Sequence, residues 1–196
     1  MSEAQLPEEL LHYILDLILS PNEEDFCYWP LLGPRWRDGR SRTHYPKHHF
    51  TATPLLVSKR WRRVGTPLLY KSLLLWMKPD TQAVAQLIKG DPNVGKAIQR
   101  LRLEGGMGKD LYTIIKHAPN IHTLWITPHV RSAESISGLR KSLALLHPQK
   151  LYFCKMSLKL NKVADEVEKM LISHIEESWN SLVSTAPTLT FNAIPL

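Results

Sequence analysis

Three groups of residues in this chain have types and spacings that chemistry could use: a His/Cys group, a glycine-rich loop and a basic, aromatic segment. His44, His48 and His49, with Cys27, are zinc-ligating types. No Cys-x2-Cys or His-x3-His helix frames them, however, and Pro46 keeps His44 and His48 from sharing a helical face. Gly105-Gly106-Met107-Gly108, followed by Lys109, has the composition of a phosphate-cradling loop that opens a helix. Its spacing fits neither the Walker pattern nor the dinucleotide fingerprint, so the expectation is a loop tip between a strand and a helix. Serines, histidines and acids are scattered, with no nucleophile elbow and no carboxylate cluster for acid-base work. The residues therefore imply no enzyme, no cofactor and no metal site.

The basic segment is sharply localised. From Arg35 to Arg63 there are nine Lys or Arg (35, 37, 40, 42, 47, 59, 60, 62 and 63) against Asp38 alone, within a net charge of +7 for the chain. The remaining residues are close to neutral. Trp36, Tyr45 and Phe50 are interleaved with these cations, a mixture that could hold phosphates and stack on bases, or act as a nuclear-import signal. The plainer reading is a solvated loop beside a basic helix face, because residues 21 to 54 hold Pro21, Pro30, Pro34, Pro46 and Pro54 and no sustained periodicity.

The elements around these residues are more regular. Pro7 suits a first helical turn, and Glu8 and Glu9 place negative charge at the positive end of the helix dipole. Leu10, Ile14, Leu17 and Ile18 then recur at helical spacing, giving an amphipathic helix that ends near Ser20-Pro21-Asn22. Thr53-Pro54 reads as an N-cap followed by Pro at the first helical position, with Val57, Trp61 and Val64 on one face and Gly65 as the stop. Thr66-Pro67 restarts a short third helix. At 196 residues and 43% hydrophobic, the chain can hold a small module plus a modest second domain. No apolar run is long enough to span a membrane, and Met1 leads into polar and acidic residues, so the chain is expected to be intracellular, in cytoplasm, nucleus or both. Cys27 and Cys154 are expected as reduced thiols.

The Leu6-Pro7-Glu8-Glu9-Leu10-Leu11 opening and the later Leu55-Leu56-Val57-Ser58-Lys59-Arg60-Trp61-Arg62-Arg63 stretch together resemble the two halves of an F-box. That resemblance covers residues 5 to 75, interrupted by a basic insert at 21 to 54 that the compact family pattern lacks. It implies a three-helix module that binds a Skp-type adaptor and, through it, a cullin scaffold. The adaptor-binding positions it implies are Leu6, Pro7, Leu10, Ile14, Leu55, Val57, Ser58 and Trp61. Some of these must fill the core of so small a module, Trp61 above all; Leu6 and Pro7, outside the periodic stripe, are the preferred contacts.

Beyond residue 70 the pattern changes to short strands with apolar residues two apart: Leu73–Trp76, Leu101–Leu103, Leu124–Ile126, Leu151–Phe153 and Leu189–Phe191. Helical candidates at 81–89, 109–117, 132–146 and 163–183 separate them. Leu75, Leu103, Ile126, Phe153 and Phe191 are spaced by 28, 23, 27 and 38 residues. Ala118-Pro119-Asn120-Ile121-His122-Thr123-Leu124 resembles the helix-to-strand junction of a leucine-rich repeat, and the Ala-Pro pair recurs at Ala186-Pro187. Repeat length drifts, and no regular asparagine ladder is present. The expected fold is mixed α+β and α/β: the F-box followed, over 76 to 196, by a short irregular leucine-rich-repeat-like solenoid, with an ordinary doubly wound domain as the alternative. Only Asn192 to Leu196 follow the last strand candidate, so a shortened receptor or an incomplete gene model is expected.

The function this implies is the substrate-recognition subunit of a cullin-type ubiquitin ligase, non-catalytic, with an unidentified protein target on the C-terminal repeats. A nucleic-acid-binding protein using residues 35 to 63, and an adaptor-bound scaffold acting outside the ligase, are the alternatives.

Overall fold

Pro7 starts the first helix, α1 (Glu8–Leu19), and its carbonyl accepts the Leu11 amide at 3.0 Å. A computed structural model describes residues 6–28, 52–128, 135–154 and 161–186 of the chain, in two units, Met1–Leu69 and Tyr70–Leu196.

In the first unit α1 is followed by α2 (Glu23–Tyr28) and α3 (Lys59–Tyr70), whose last residue falls at the unit boundary. The core of this unit is made by Leu11, Leu15 and Leu19 of α1 with Leu55, Val64 and Leu68, and Trp61 and Leu69 pack against it half-buried. Three expectations are corrected here. The buried stripe of α1 is Leu11, Leu15 and Leu19, one position on from the expected stripe, and Leu10, Ile14, Leu17 and Ile18 are exposed. The segment 21 to 54, read as loop, contains α2, whose Phe26 and Cys27 are buried. Thr53–Leu56 is only a 3-10 turn, and a single helix then runs through both Gly65 and Thr66-Pro67.

The reason Gly65 does not end α3 lies in packing. A Cβ at Gly65 would meet the tips of Leu55, of Leu19 at 3.0 Å and of Leu15 at 3.3 Å, so the glycine lets α3 approach α1 closely. Pro67, inside α3, has no amide to donate to the Arg63 carbonyl, and the helix runs on to Tyr70 without that bond. Ser58, not Thr53, is the residue that starts α3: its hydroxyl accepts the Trp61 amide at 3.2 Å, as an N-cap serine does.

Among the described residues the second unit is built on a five-stranded parallel sheet in sequence order: β1 (Ser72–Leu75), β2 (Arg100–Leu103), β3 (Thr123–Ile126), β4 (Lys150–Phe153) and β5 (Ser184–Ala186). Leu75, Leu103, Ile126 and Phe153 are in register. β1 is thus the edge of this sheet, so the boundary lies at residues 69/70 and not near 75. The strand that pairs with β4 is Ser184–Ala186, ahead of the expected Leu189–Phe191, which lies outside the described residues.

Between the strands lie α4 (Lys78–Gly90), α5 (Pro92–Ala97), α6 (Lys109–Lys116), α7 (Ser137–Ser142) and α8 (Lys162–Glu177). The starts of α4, α5 and α8 are set by side-chain acceptors: Asp80 takes the Met77 amide at 3.1 Å, Asp91 the Asn93 amide at 3.0 Å and Asn161 the Ala164 amide at 2.9 Å. The core joins one face of the sheet (Leu73, Leu75, Leu101, Leu103, Leu124, Ile126, Leu151) to Ile88, Ile114, Leu139 and Val167 of the helices.

Within the second unit, each strand-helix segment repeats the hydrogen bonds of the one before. Lys71 O accepts from the amides of Gln99 and Arg100, Gln99 O from His122 and Thr123, and His122 O from Gln149 and Lys150. At the other end of the strands, Leu75 O takes the Glu104 amide, Leu103 O that of Thr127 and Ile126 O that of Cys154. The glycine loop belongs to this stacking. Met107 is fully buried, Gly106 takes φ 68° against Met77 and Thr81, and Gly138 lies against the Gly108 carbonyl, so Gly105–Gly108 packs successive strand-helix segments of the second unit together and is not a loop tip.

Candidate functional site

At about 100° per residue, α1 displays Tyr13, Leu17, Leu10, Ile14 and Ile18 as one continuous arc of about 140°. The core stripe of Leu11, Leu15 and Leu19 occupies the adjacent arc, on which Glu8 also falls at the helix start, and Glu9, His12 and Asp16 fill the remainder. One core can use only one of the two stripes. The second is left to solvent, with Tyr13 64% and Leu17 67% exposed. Leu56 and Val57, in the turn before α3, are exposed as well, 73% and 63%. A contiguous arc of exposed large apolar side chains such as that on α1 marks an interaction surface.

The start of α1 is tied to the first turns of α3. Arg60 Nη2 donates to Leu6 O at 2.6 Å, and Arg63 grips the Glu8 carboxylate with both nitrogens, Nη1 to Oε1 at 3.1 Å and Nη2 to Oε2 at 2.5 Å. The hydrogen bond from Arg63 holds the Glu8 carboxyl below its ordinary range, and Arg63 is correspondingly raised. Two of the four cations read from the sequence as a basic helix face are therefore engaged with backbone and carboxylate of the same unit; Lys59 and Arg62 are exposed.

Of the eight expected contact positions, Leu6, Pro7, Leu10, Ile14, Val57 and Ser58 are exposed. Leu55 is buried in the core beside Gly65 and is corrected to a structural residue. Trp61 is half-buried against the core. Tyr13, Leu17 and Ile18 share the exposed face of the expected Leu10 and Ile14, and sequence reasoning missed Tyr13 altogether. The signal for the whole face was present: α1 is too apolar for one stripe.

A second arrangement lies on the sheet face opposite the helices of the second unit. There Arg102 is buried, its Nε donating to Glu104 Oε1 at 2.7 Å, and its guanidinium lies 3.8 Å from the centre of the Trp125 ring. Arg102 and Trp125 are register partners on β2 and β3, so the stack joins the two strands across this face, while the ion pair runs along β2 to the residue just past its end. The signal was the Arg-Leu-Arg-Leu alternation of β2, whose arginines are out of phase with the core leucines.

Cys154 follows β4 and is buried; burial pushes its thiol up to about 11, with Arg102 opposing the shift and Glu104 adding to it. Among the described residues, no three His, Cys, Asp or Glu are grouped as a metal site, and no helix is long and apolar enough to cross a membrane. His44, His48 and His49 and the cations from Arg35 to Lys47 lie outside the described residues. No family model, no curated protein and no solved structure matches this chain.

Proposed function

We propose that the chain is the substrate-recognition subunit of a cullin-type ubiquitin ligase, in which the first unit is an F-box that docks a Skp-type adaptor. The observation that carries this reading is the surplus apolar stripe of α1, exposed beside the Leu6-Pro7 opening to which the family resemblance assigns adaptor contact. A three-helix module of this size gains stability by burying such a stripe against a partner. The second unit is read as an irregular leucine-rich-repeat-like solenoid, supported by its sequential parallel strands and the recurring hydrogen bonds between its strand-helix segments, and it would present a surface to a protein target.

On this reading the chain does no chemistry of its own. It raises the effective concentration of target lysines near a ubiquitin-charged enzyme supplied by the rest of the assembly. The test is co-purification of the full chain with a Skp-type adaptor, wild type beside a Leu6→Ala, Pro7→Ala double variant. A one-to-one complex weakened in the variant supports the reading, and cullin recruitment by that complex separates a ligase receptor from a scaffold bound to the adaptor alone. Absence of a complex with folded wild-type chain would overturn it.

A further inference from the structure

We infer that Arg60 and Arg63 are positioning residues for the docking face, a clasp that fixes Leu6 and Pro7 against α3 so that they extend the exposed stripe of α1. The inference rests on the adaptor-docking reading above and adds to it the means by which the face is pre-formed.

Leu6 precedes the first hydrogen-bonded turn of α1, Pro7 caps it through its carbonyl, and both side chains are exposed, so the core does not hold them. Free, such a segment samples many backbone conformations, and each would have to be given up on binding. The two arginines remove that freedom from opposite sides of the Leu6-Pro7 pair. Arg60 holds the Leu6 carbonyl at 2.6 Å, before the proline, and Arg63 holds the Glu8 carboxylate bidentately, just after it. A planar guanidinium suits this grip because its donors are fixed in a fork that matches a carboxylate. The three-residue spacing of Arg60 and Arg63 places both on the same side of α3. The pair is exposed, with Arg63 and Glu8 side chains 64% and 48% accessible, so it contributes little to global stability. Its consequence falls instead on the conformation presented to a partner.

The experiment measures adaptor affinity and amide exchange on the full chain for wild type, Arg63→Gln, the Arg60→Gln, Arg63→Gln double variant, and a Glu8→Arg, Arg63→Glu reversal. The Leu11 amide, bonded to Pro7 O at 3.0 Å, reports whether the helix start is held. The expected result is a loss of affinity of about three- to tenfold in the two Gln variants, with faster exchange at Leu11, an unchanged unfolding midpoint, and partial recovery in the reversal. Wild-type binding with unaltered affinity and unaltered Leu11 exchange in the variants overturns this inference alone. No binding by the wild-type chain overturns it together with the docking reading.

Discussion

At Gly138 one strand-helix unit meets the backbone of another: a Cβ there would collide with the carbonyl of Gly108 and lie 3.0 Å from that of Met107. Gly106, at φ 68°, is confined in the same way: a Cβ there would meet Thr81 and lie 2.9 Å from the Met77 carbonyl oxygen. Backbone cannot step aside as a leucine tip can. Gly138→Ala and Gly106→Ala should therefore each lower the unfolding free energy by about 1 to 3 kcal/mol in denaturant titrations. Gly90→Ala, with nothing within 4 Å, should be neutral or slightly stabilising. Cys154 offers a second measurement. Its thiol, raised by burial from 9.0 to about 11, favours the folded state below the unfolded value, and this contribution is lost as pH rises from 9 toward 11. A thiol reagent at pH 8 should label Cys154 far more slowly in the native chain than after unfolding. For Glu8 the sign is opposite: its carboxyl is lowered below 4.5, so the Arg63 pair persists above the ordinary carboxylate range and opens as pH falls through the lowered value. Titration of Glu8 by carbon NMR should show that depressed midpoint, and Arg63→Gln should return it toward 4.5. Residue types such as Leu6-Pro7 and the Arg60/Arg63 pair were readable from sequence. The close approaches at Gly65, Gly106 and Gly138 were not, because a glycine that admits another helix or another unit has the same letter as one that ends a helix.

Among the elements, α1 is the one whose two apolar stripes have different fates. Leu15 is fully buried in the first core, and Leu15→Ala should cost about 2 to 5 kcal/mol of stability. Leu17, on the neighbouring stripe, is exposed, and Leu17→Ala should change stability by no more than about 0.5 kcal/mol while weakening adaptor capture. Urea unfolding of the two variants, read side by side, decides between them; equal costs would mean that both stripes are core. Helical periodicity finds apolar positions but cannot say which of two adjacent stripes faces inward, and here it selected the outer one. Strands were easier, since alternation over four residues with leucines on one face leaves a single register, and β1 to β4 were legible from it. β5, Ser184–Ala186, was not, because Ser-Thr-Ala lacks the alternating leucines and the Leu189–Phe191 run drew the assignment away from it. The break between the 3-10 turn and α3 was hidden by Pro54, which signals a helix start as well as a turn.

For the molecule as a whole, one unit offers an unpaired apolar face and the other a stack of strand-helix units with a second, polar and aromatic sheet face. In the proposed reading the first of these faces holds a scaffold and the second unit a target, and adaptor docking by the first is the part on which the rest depends. The most direct measurement is the affinity of the full chain for a Skp-type adaptor, wild type against a Leu10→Gln, Leu17→Gln variant, with unfolding midpoints recorded on the same samples. Glutamine keeps helix propensity close to that of leucine, so only the exposed apolar surface is removed. The account predicts a complex whose affinity falls at least about tenfold in the variant at an unchanged midpoint; wild-type affinity in the variant, or no complex with the wild-type chain, would contradict it.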